Sequence, residues 1–222
     1  MRVKSGRIFQ MQTRSLTENK DAALSLSVDV LLSGGVVLIP TDTLYALCGD
    51  ALSDEAVEKV RAIKGRDERK PMHALVESLE MAGKYGVITD AVERLARELP
   101  LGKITFVVRK HALFESGIFR GVETFGFRIP DNEFCAALLH AFGRPITATS
   151  ANKAGEEPQR SIATILEQLG DYADGIALAV NGGELPPSAP STVVDCSGSR
   201  PLILREGAVP AADIWNTLRT EE

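Results

Sequence analysis

Residues 34–43 read GGVVLIPTDT, and they say more about the fold class than any other segment. The two glycines end the helical periodicity of residues 21–32, because glycine readily adopts the backbone conformation of a helix end. Residues 36–39 form a continuous apolar run that Pro40 stops, a pattern typical of a strand covered on both faces. The polar turn Thr41-Asp42-Thr43 therefore follows the carboxyl end of a buried strand.

Helices and strands alternate along the rest of the chain. Periodicity and capping residues predict further helices over residues 54–64, 79–85, 90–99, 133–142, 161–169 and 211–218. Short apolar runs predict strands over residues 74–76, 104–108, 125–129, 146–149, 176–180, 192–195 and 202–204. The early alternation indicates an α/β fold, whereas the consecutive late strands indicate antiparallel pairing.

We therefore expect an α/β fold with a twisted, mixed parallel and antiparallel sheet and flanking helices. The sequence contains no internal repeat and no low-complexity linker, so residues 21–222 are expected to form a single domain. Residues 1–20, which contain Arg2, Lys4, Arg7 and Arg14, are a candidate mobile basic arm.

The composition excludes several classes of protein. With 222 residues, 44% of them hydrophobic and 25% charged, the chain can bury a core and is not of the disordered type. No apolar run approaches the roughly 20 residues that a membrane helix needs, and the first residues lack the apolar core of a signal peptide. We therefore expect a cytoplasmic protein without a membrane partner. The net charge of −5 argues against broad, non-specific nucleic-acid binding.

The cysteines and histidines do not indicate a metal site. The three cysteines are far apart, form no CxxC pair and are expected to be reduced core residues: Cys48, Cys135 and Cys196. The three histidines lack metal-site spacing: His73, His111 and His140. We expect no metal ligands in this chain.

Four polar clusters follow predicted strand or helix ends, where open α/β sheets usually bind ligands. They read PTDTLY at 40–45, KGRDERKP at 64–71, ITATSANK at 146–153, and STVVD at 191–195 with LREG at 204–207. Hydroxyl groups suit a small polar substrate, and cations suit phosphates. Each cluster alone is also compatible with a turn, a helix cap or a solvated charged surface.

Taken in order, PTDTLYAL, KGRxxxKP, ITFVV, GFRIPDN, TSAN, STVVD and LREG resemble the motifs of the YrdC-like threonylcarbamoyl-AMP synthase family. The resemblance covers about residues 32–207, and its most specific part pairs KxR (Lys64, Arg66) with SxN (Ser150, Asn152). It implies a YrdC-like α/β fold around a concave basic groove.

The resemblance also implies an activity. L-threonine, bicarbonate and ATP, with Mg²⁺, would give L-threonylcarbamoyl-adenylate and pyrophosphate. Other proteins would then transfer the threonylcarbamoyl group to adenosine 37 of tRNA, producing N6-threonylcarbamoyladenosine. The tRNA itself would be an indirect partner, or a weak one bound through the basic groove.

The same resemblance implies roles for individual residues. Lys64 and Arg66 would be catalytic. The ATP-binding residues would be Arg66, Lys70, Asn152, Arg160 and Arg205. The threonine-binding residues would be Thr43, Tyr45, Ser150 and Ser191. No nucleophilic side chain is required, because the amine of threonine and then the carbamate oxygen would attack, while the protein positions the reactants and neutralises charge.

Several positions depart from the family pattern. Many relatives read KGRPxxNP with a histidine four residues later, whereas here Asp67, Lys70 and Leu75 occupy the variable sites. Lys103 replaces a proline of PGPxT, and Arg160 stands where a hydroxyl often contacts phosphate. Two alternatives therefore stay open: a divergent paralogue with another substrate, and a non-catalytic RNA-binding or ribosome-maturation module. The basic arm favours the RNA module, whereas the 5% aromatic content argues against it.

Overall fold

Residues 11–65 and 72–219 of the computed structural model are described, and they form a ten-stranded sheet with helices on both faces. The strands are β1 (Gln12–Ser15), β2 (Val37–Pro40), β3 (Tyr45–Cys48), β4 (His73–Leu75), β5 (Ile104–Arg109), β6 (Thr124–Arg128), β7 (Ile146–Ser150), β8 (Leu178–Asn181), β9 (Thr192–Asp195) and β10 (Leu202–Arg205). The helices are α1 (Lys20–Leu32), α2 (Asp54–Lys64), α3 (Leu79–Gly83), α4 (Asp90–Glu98), α5 (Glu133–Phe142), α6 (Ile162–Leu169) and α7 (Ala211–Arg219).

The sheet is mixed, with the strand order β1-β8-β2-β3-β7-β4-β6-β5-β9-β10. The pairs β1–β8, β8–β2, β4–β6 and β5–β9 are parallel. The pairs β2–β3, β3–β7, β7–β4, β6–β5 and β9–β10 are antiparallel. This arrangement confirms the predicted α/β fold with a mixed sheet and flanking helices.

Strand β2 is covered on both faces, as its continuous apolar sequence predicted. Leu38 packs into the apolar layer that contains residues of α2, α4 and α6. Val37 and Ile39 pack into the opposite layer, which α1 and α5 supply. Because successive side chains of a strand alternate between its faces, a strand between two apolar layers must be apolar throughout.

Helix α2 is fixed at both ends by its own sequence. The Ser53 side chain accepts a hydrogen bond from the backbone N–H of Ala56, which satisfies one of the free donors of the first turn. Gly65 ends the helix with a φ of 59°, in the left-handed region that glycine adopts without a side-chain clash. Lys64 is therefore the last residue of the helix, facing the end of β7.

Two segments differ from the prediction. No strand was predicted over residues 45–48, and Tyr45 was assigned to the polar cluster at 40–45. These residues form strand β3, which turns back on β2 as an antiparallel hairpin, with Pro40 opposite Tyr45. Within the arm predicted over residues 1–20, Gln12–Ser15 instead form strand β1, which pairs with Leu178–Asn181. This strand covers an edge of β8 that would otherwise be unpaired. Residues 1–10 lie outside the described residues.

Among the helices of the described part, none is both long and apolar enough to cross a membrane. The three cysteines are free and buried, as predicted.

Candidate functional site

A cavity of about 100 Å³ opens where the ends of several strands meet. Side chains from distant parts of the sequence line it, and the polar ones are Thr41, Thr43, Tyr45, His73, Arg128, Thr149, Ser150, Ser191 and Arg205. The structure thus brings together all four residues predicted to bind threonine and one of those predicted to bind ATP. Of the other predicted residues, Arg66 and Lys70 lie outside the described residues.

The turn between β2 and β3 forms one wall of the cavity. The Thr41 hydroxyl donates to the carbonyl of Leu44 at 2.7 Å and accepts from the backbone N–H of Thr43 at 3.2 Å. The Thr41 and Thr43 hydroxyls are 3.2 Å apart. Threonine hydroxyls that bond the nearby backbone stabilise tight turns. The turn therefore holds the Thr43 hydroxyl in a buried position at the cavity.

Tyr45 lines the cavity and anchors a neighbouring loop. Its side chain is buried, and its hydroxyl donates to the carbonyl of Gly183 at 2.8 Å and accepts from the N–H of Gly182 at 3.0 Å. Burial raises the pKa of the Tyr45 phenol, and the hydrogen bond from Gly182 opposes this shift to a smaller extent. The neutral hydroxyl thus fixes the start of the loop that leads to Pro190 and Ser191 at the cavity.

Lys64 lies beneath the cavity in a network of oxygen atoms. Its Nζ has four oxygens within hydrogen-bonding distance for its three hydrogens: the carbonyl and hydroxyl of Ser150 at 2.5 and 3.1 Å, and the carbonyl and Oδ1 of Asn152 at 3.1 and 2.8 Å. The Ser150 hydroxyl donates to Asn152 Oδ1 at 2.5 Å. Lys64 is only 6% exposed, so its charge is satisfied inside the protein.

The Asn152 amide completes this network. Its Nδ2 donates to the carbonyls of Lys153 and Glu156 at 2.9 and 2.6 Å. Asn152 is buried, and both ends of its side chain are occupied: Oδ1 accepts from Lys64 and Ser150, and Nδ2 donates to the loop that follows β7. In this arrangement Lys64 and Asn152 hold the loop and orient Ser150, rather than presenting polar groups to the cavity.

Ser191 and Arg205 form the opposite wall. Arg205 Nη2 donates to the carbonyl of Ser191 at 2.8 Å, and the Ser191 hydroxyl is 2.8 Å from that of Thr105. Burial lowers the pKa of the Arg205 guanidinium, but the ordinary pKa of arginine is so far above 7 that the group stays charged at neutral pH. Arg205 therefore offers a positive charge at the cavity.

Arg160 is not among the residues that line the cavity. Its Nη2 is 2.9 Å from Glu184 Oε1, and its Nη1 donates to the carbonyl of Leu185 at 3.5 Å. These contacts tie the start of α6 to the loop that Tyr45 anchors.

Four polar cavity residues were not among the predicted site residues: Thr41 and Thr149, which belong to the polar clusters, and His73 and Arg128, which lie outside them. Arg128 Nη1 donates to Asp42 Oδ1 at 2.7 Å and to the carbonyl of Gly102 at 2.9 Å. Its Nη2 lies 3.4 Å from the Thr41 hydroxyl. The available signal was an arginine within the apolar strand sequence TFGFR, because a buried arginine requires a partner or a ligand.

The sequence comparison agrees with the motif analysis. The Sua5/YciO/YrdC family model, whose description is "Telomere recombination", matches residues 29–207. The chain belongs to this family. The family expected from the seven sequence motifs is therefore confirmed.

Two relatives and one solved structure show the extent of the similarity. The chain is 31% identical over 194 residues to the threonylcarbamoyl-AMP synthase of Pyrococcus abyssi, covering 86% of this chain and 56% of that protein. It is 28% identical over 214 residues to the threonylcarbamoyl-AMP synthase of Bacillus subtilis, covering 96% of this chain and 61% of that protein. The chain therefore spans less than two thirds of the length of these relatives.

The fold is similar to the crystal structure of P. abyssi Sua5 complexed with L-threonine, with a TM-score of 0.84 and 26% identity. The match covers 95% of this chain and 61% of that chain.

Two of the departures from the Sua5/YciO/YrdC motifs lie outside the cavity lining. Lys103 Nζ donates to the backbone carbonyl of Asp42 at 2.9 Å. Leu75 is fully buried in the apolar layer that α1 and α5 cover. His73, two residues before Leu75 on β4, does line the cavity. Neither Lys103 nor Leu75 is thus part of the cavity lining, whereas Asp67 and Lys70 lie outside the described residues.

Proposed function

We propose that this chain synthesises L-threonylcarbamoyl-adenylate from L-threonine, bicarbonate and ATP and releases pyrophosphate. The observation that carries the proposal is the convergence of Thr43, Tyr45, Ser150 and Ser191 on one small cavity that Arg128 and Arg205 also line. The P. abyssi and B. subtilis relatives are named for this product, which supports the same reaction here.

The cavity suits a small, hydroxylated amino acid. Arg128 Nη2 would bind the carboxylate, because a guanidinium matches a carboxylate in charge and geometry. The hydroxyls of Thr43, Ser150 and Ser191 would bond the amino and hydroxyl groups of threonine, since a hydroxyl both donates and accepts. Ala148, which also lines the cavity, would contact the methyl group. P. abyssi Sua5 has been crystallised with L-threonine, which supports threonine as the amino acid.

The nucleotide would lie beside the amino acid, at the Arg205 side of the cavity. Arg205 is charged and already anchored through Ser191, so it would bind a phosphate without a large rearrangement. Arg66 and Lys70 are proposed to contact the triphosphate as well. Arg160, whose guanidinium is held by Glu184, stays a predicted ATP contact.

Lys64 and Asn152 would contribute mainly by position. Their network fixes the loop after β7 and directs the Ser150 hydroxyl, so the roles proposed for Lys64 in catalysis and for Asn152 in ATP binding act through this loop.

Magnesium would enter with the nucleotide. The described residues contain no group of three or more His, Cys, Asp or Glu side chains that could hold a metal ion. Mg²⁺ commonly binds ATP phosphates with one or two protein carboxylates or none. Mg²⁺ would therefore bind as part of the MgATP substrate, and no protein ligand is assigned to it.

The reaction needs no protein nucleophile. Bicarbonate takes up a proton and loses water to give carbon dioxide, which the amine of threonine attacks, and loss of a proton from nitrogen gives the carbamate. A carbamate oxygen then attacks the α-phosphorus of ATP, and pyrophosphate leaves. Positioning of two reactants can lower such a barrier by about 7–11 kcal/mol when the geometry is close to attack. The cavity would supply this positioning, and its arginines would stabilise the phosphate charge.

The product would be used for tRNA modification in the cytoplasm. A carbamoyl-adenylate is a reactive mixed anhydride, so other proteins would have to transfer the threonylcarbamoyl group to adenosine 37 of tRNA. We further propose that residues 21–222 act as one domain together with strand β1, and that Arg128 and Arg205 belong to a concave basic groove.

Mass spectrometry of the reaction products tests the proposal. Incubation with MgATP, bicarbonate and L-threonine should yield threonylcarbamoyl-adenylate and an equal amount of pyrophosphate. Omission of bicarbonate and replacement of L-threonine by L-valine, which has nearly the same shape but lacks the hydroxyl, are the controls. A hydroxyl that is read by buried hydrogen bonds discriminates strongly against an analogue that lacks it.

Each alternative predicts a different result. Adenylate formation with another amino acid, and none with threonine, would identify a paralogue with a changed substrate. Salt-dependent RNA binding without ATP binding would identify the non-catalytic RNA module.

A further inference from the structure

A buried ion pair lies beside the cavity, and only its basic member lines the cavity. Arg128 Nη1 and Asp42 Oδ1 are 2.7 Å apart, and each side chain is 7% exposed. Arg128 lines the cavity, whereas Asp42 is not among the lining residues. A buried ion pair adds little net stability compared with an apolar contact, because both charges lose their hydration. The pair therefore points to a role other than stability.

The contacts of Arg128 are unequal on the two sides of its guanidinium. Nη1 donates to Asp42 Oδ1 and to the carbonyl of Gly102, which accounts for both of its hydrogens. Among the described residues, the contact recorded for Nη2 is the one of 3.4 Å to the Thr41 hydroxyl. A planar guanidinium that is held firmly at Nη1 keeps Nη2 in a fixed direction. Nη2 thus retains donor capacity for a ligand in the cavity.

Asp42 is held in place by its surroundings. Lys103 donates to its backbone carbonyl at 2.9 Å. Gly102 lies so close to the carboxylate that a Cβ there would overlap Asp42 Oδ2 and the backbone of Asp131. Within the described part of the chain, Oδ2 is buried and accepts no hydrogen bond. A buried oxygen without a donor costs free energy, so the carboxylate is kept here at the expense of stability.

We propose that Asp42 is a positioning residue that holds Arg128 with Nη2 turned into the cavity, where this group binds the carboxylate of the amino-acid substrate. Asp42 also offsets the charge of Arg128, so the guanidinium is a compensated cation before substrate binds. The inference rests on the proposed function, because it assigns the amino-acid carboxylate to Arg128.

Asp42→Asn tests the role with little change in shape. Asparagine keeps an oxygen for Arg128 but replaces a charge-assisted hydrogen bond with a weaker neutral one. We expect the KM for L-threonine in adenylate formation to rise by about tenfold, as loss of a hydrogen bond to a charged group predicts. The KM for ATP should change by less than about twofold, a split that a general loss of folded protein would not produce.

Asp50→Asn is the matched control. Asp50 is also a buried aspartate with an arginine partner, Arg144, at 2.9 Å, and neither residue lines the cavity. This variant should lower the free energy of unfolding and leave both KM values unchanged. Equal threonine KM values for Asp42→Asn and the unmodified protein, or equal increases for threonine and ATP, would overturn the proposal.

A second variant and a binding measurement keep the test decisive. Arg128→Lys keeps the charge next to Asp42 but removes Nη2, so it should also raise the threonine KM. If Asp42→Asn does not fold, an unchanged threonine KM in Arg128→Lys overturns the proposal.

Calorimetric titration with L-threonine alone separates the proposed reaction from the proposed role of Asp42. An unmodified protein that binds threonine but forms no adenylate contradicts the proposed reaction only, and the Kd of Asp42→Asn then decides the role of Asp42. An unmodified protein that binds no threonine overturns both.

Discussion

At the scale of single residues, the Tyr45 hydroxyl anchors a loop. It forms hydrogen bonds with two consecutive glycines at the start of the loop from Gly182 to Pro190. Tyr45→Phe would remove one donor and one acceptor and leave both glycine groups without their partner. We expect the free energy of unfolding to fall by about 1–3 kcal/mol, the usual cost of unsatisfied buried polar groups. Urea unfolding measures this change.

Tyr172→Phe is the matched control for Tyr45→Phe, because Tyr172 is 47% exposed and its hydroxyl remains accessible to water. Its effect on stability should be within about 0.5 kcal/mol. Equal stability of the two variants would contradict the anchoring role of the Tyr45 hydroxyl.

At the scale of elements, Lys64 joins the end of α2 to the loop after β7. Lys64→Met keeps the length of the side chain but leaves the oxygens of Ser150 and Asn152 without their cation. We expect a loss of at least about 1.5–3 kcal/mol in unfolding free energy, and faster hydrogen exchange in the loop of residues 150–156.

The control for Lys64→Met is Lys20→Met, whose ammonium makes an exposed ion pair with Glu133 at 2.9 Å. Exposed ion pairs contribute about 0–1 kcal/mol, so this variant should change stability little and leave exchange in that loop unaltered. Unaltered exchange in Lys64→Met would show that the loop does not depend on this lysine.

Elements with a strong local signal were predictable, and elements that depend on distant partners were not. Strand β2 and helix α2 followed from a continuous apolar run and from Ser53 and Gly65, which act within a few residues. Strand β1 was missed because Gln12–Ser15 form a strand only through pairing with β8, far away in the sequence. Strand β3 was missed because its first residues belong to a motif that the polar pattern assigned to a turn.

The same limit applied to the site. Polar clusters next to strand ends predicted which segments meet, because open α/β sheets usually bind ligands at the ends of their strands. The sequence did not distinguish the residues that line the cavity from those beneath it. Lys64 and Asn152 form a hydrogen bond with each other and do not line the cavity. Arg128 does line the cavity, and it forms an ion pair with Asp42, which lies far away in the sequence.

At the scale of the whole molecule, the three cysteines report on the packing of both apolar layers. Cys48 and Cys135 lie in the apolar layer that α1 and α5 supply, and Cys196 lies in the layer that contains residues of α2, α4 and α6. Burial raises the pKa of Cys135 and Cys196 to about 12 and raises that of Cys48 as well. Since the thiolate is the reactive form, the thiols of the native protein should react slowly with thiol reagents at about pH 8.

The same thiols should make the free energy of unfolding depend on pH. The ordinary pKa of 9.0 applies in the unfolded chain, so above this pH the unfolded state loses thiol protons that the native state retains. The free energy of unfolding should therefore decrease as pH rises from 9.0 towards about 12, by about 1.4 kcal/mol per pH unit for each thiol. Urea unfolding across this range, compared with a Cys135→Ser and Cys196→Ser double variant, isolates the contribution of these two thiols. Cys196 lines a surface depression with Thr89 and Asp90, so it should be the first to react as the protein opens. Rapid labelling of all three thiols in the folded protein would contradict the packing on which this argument depends.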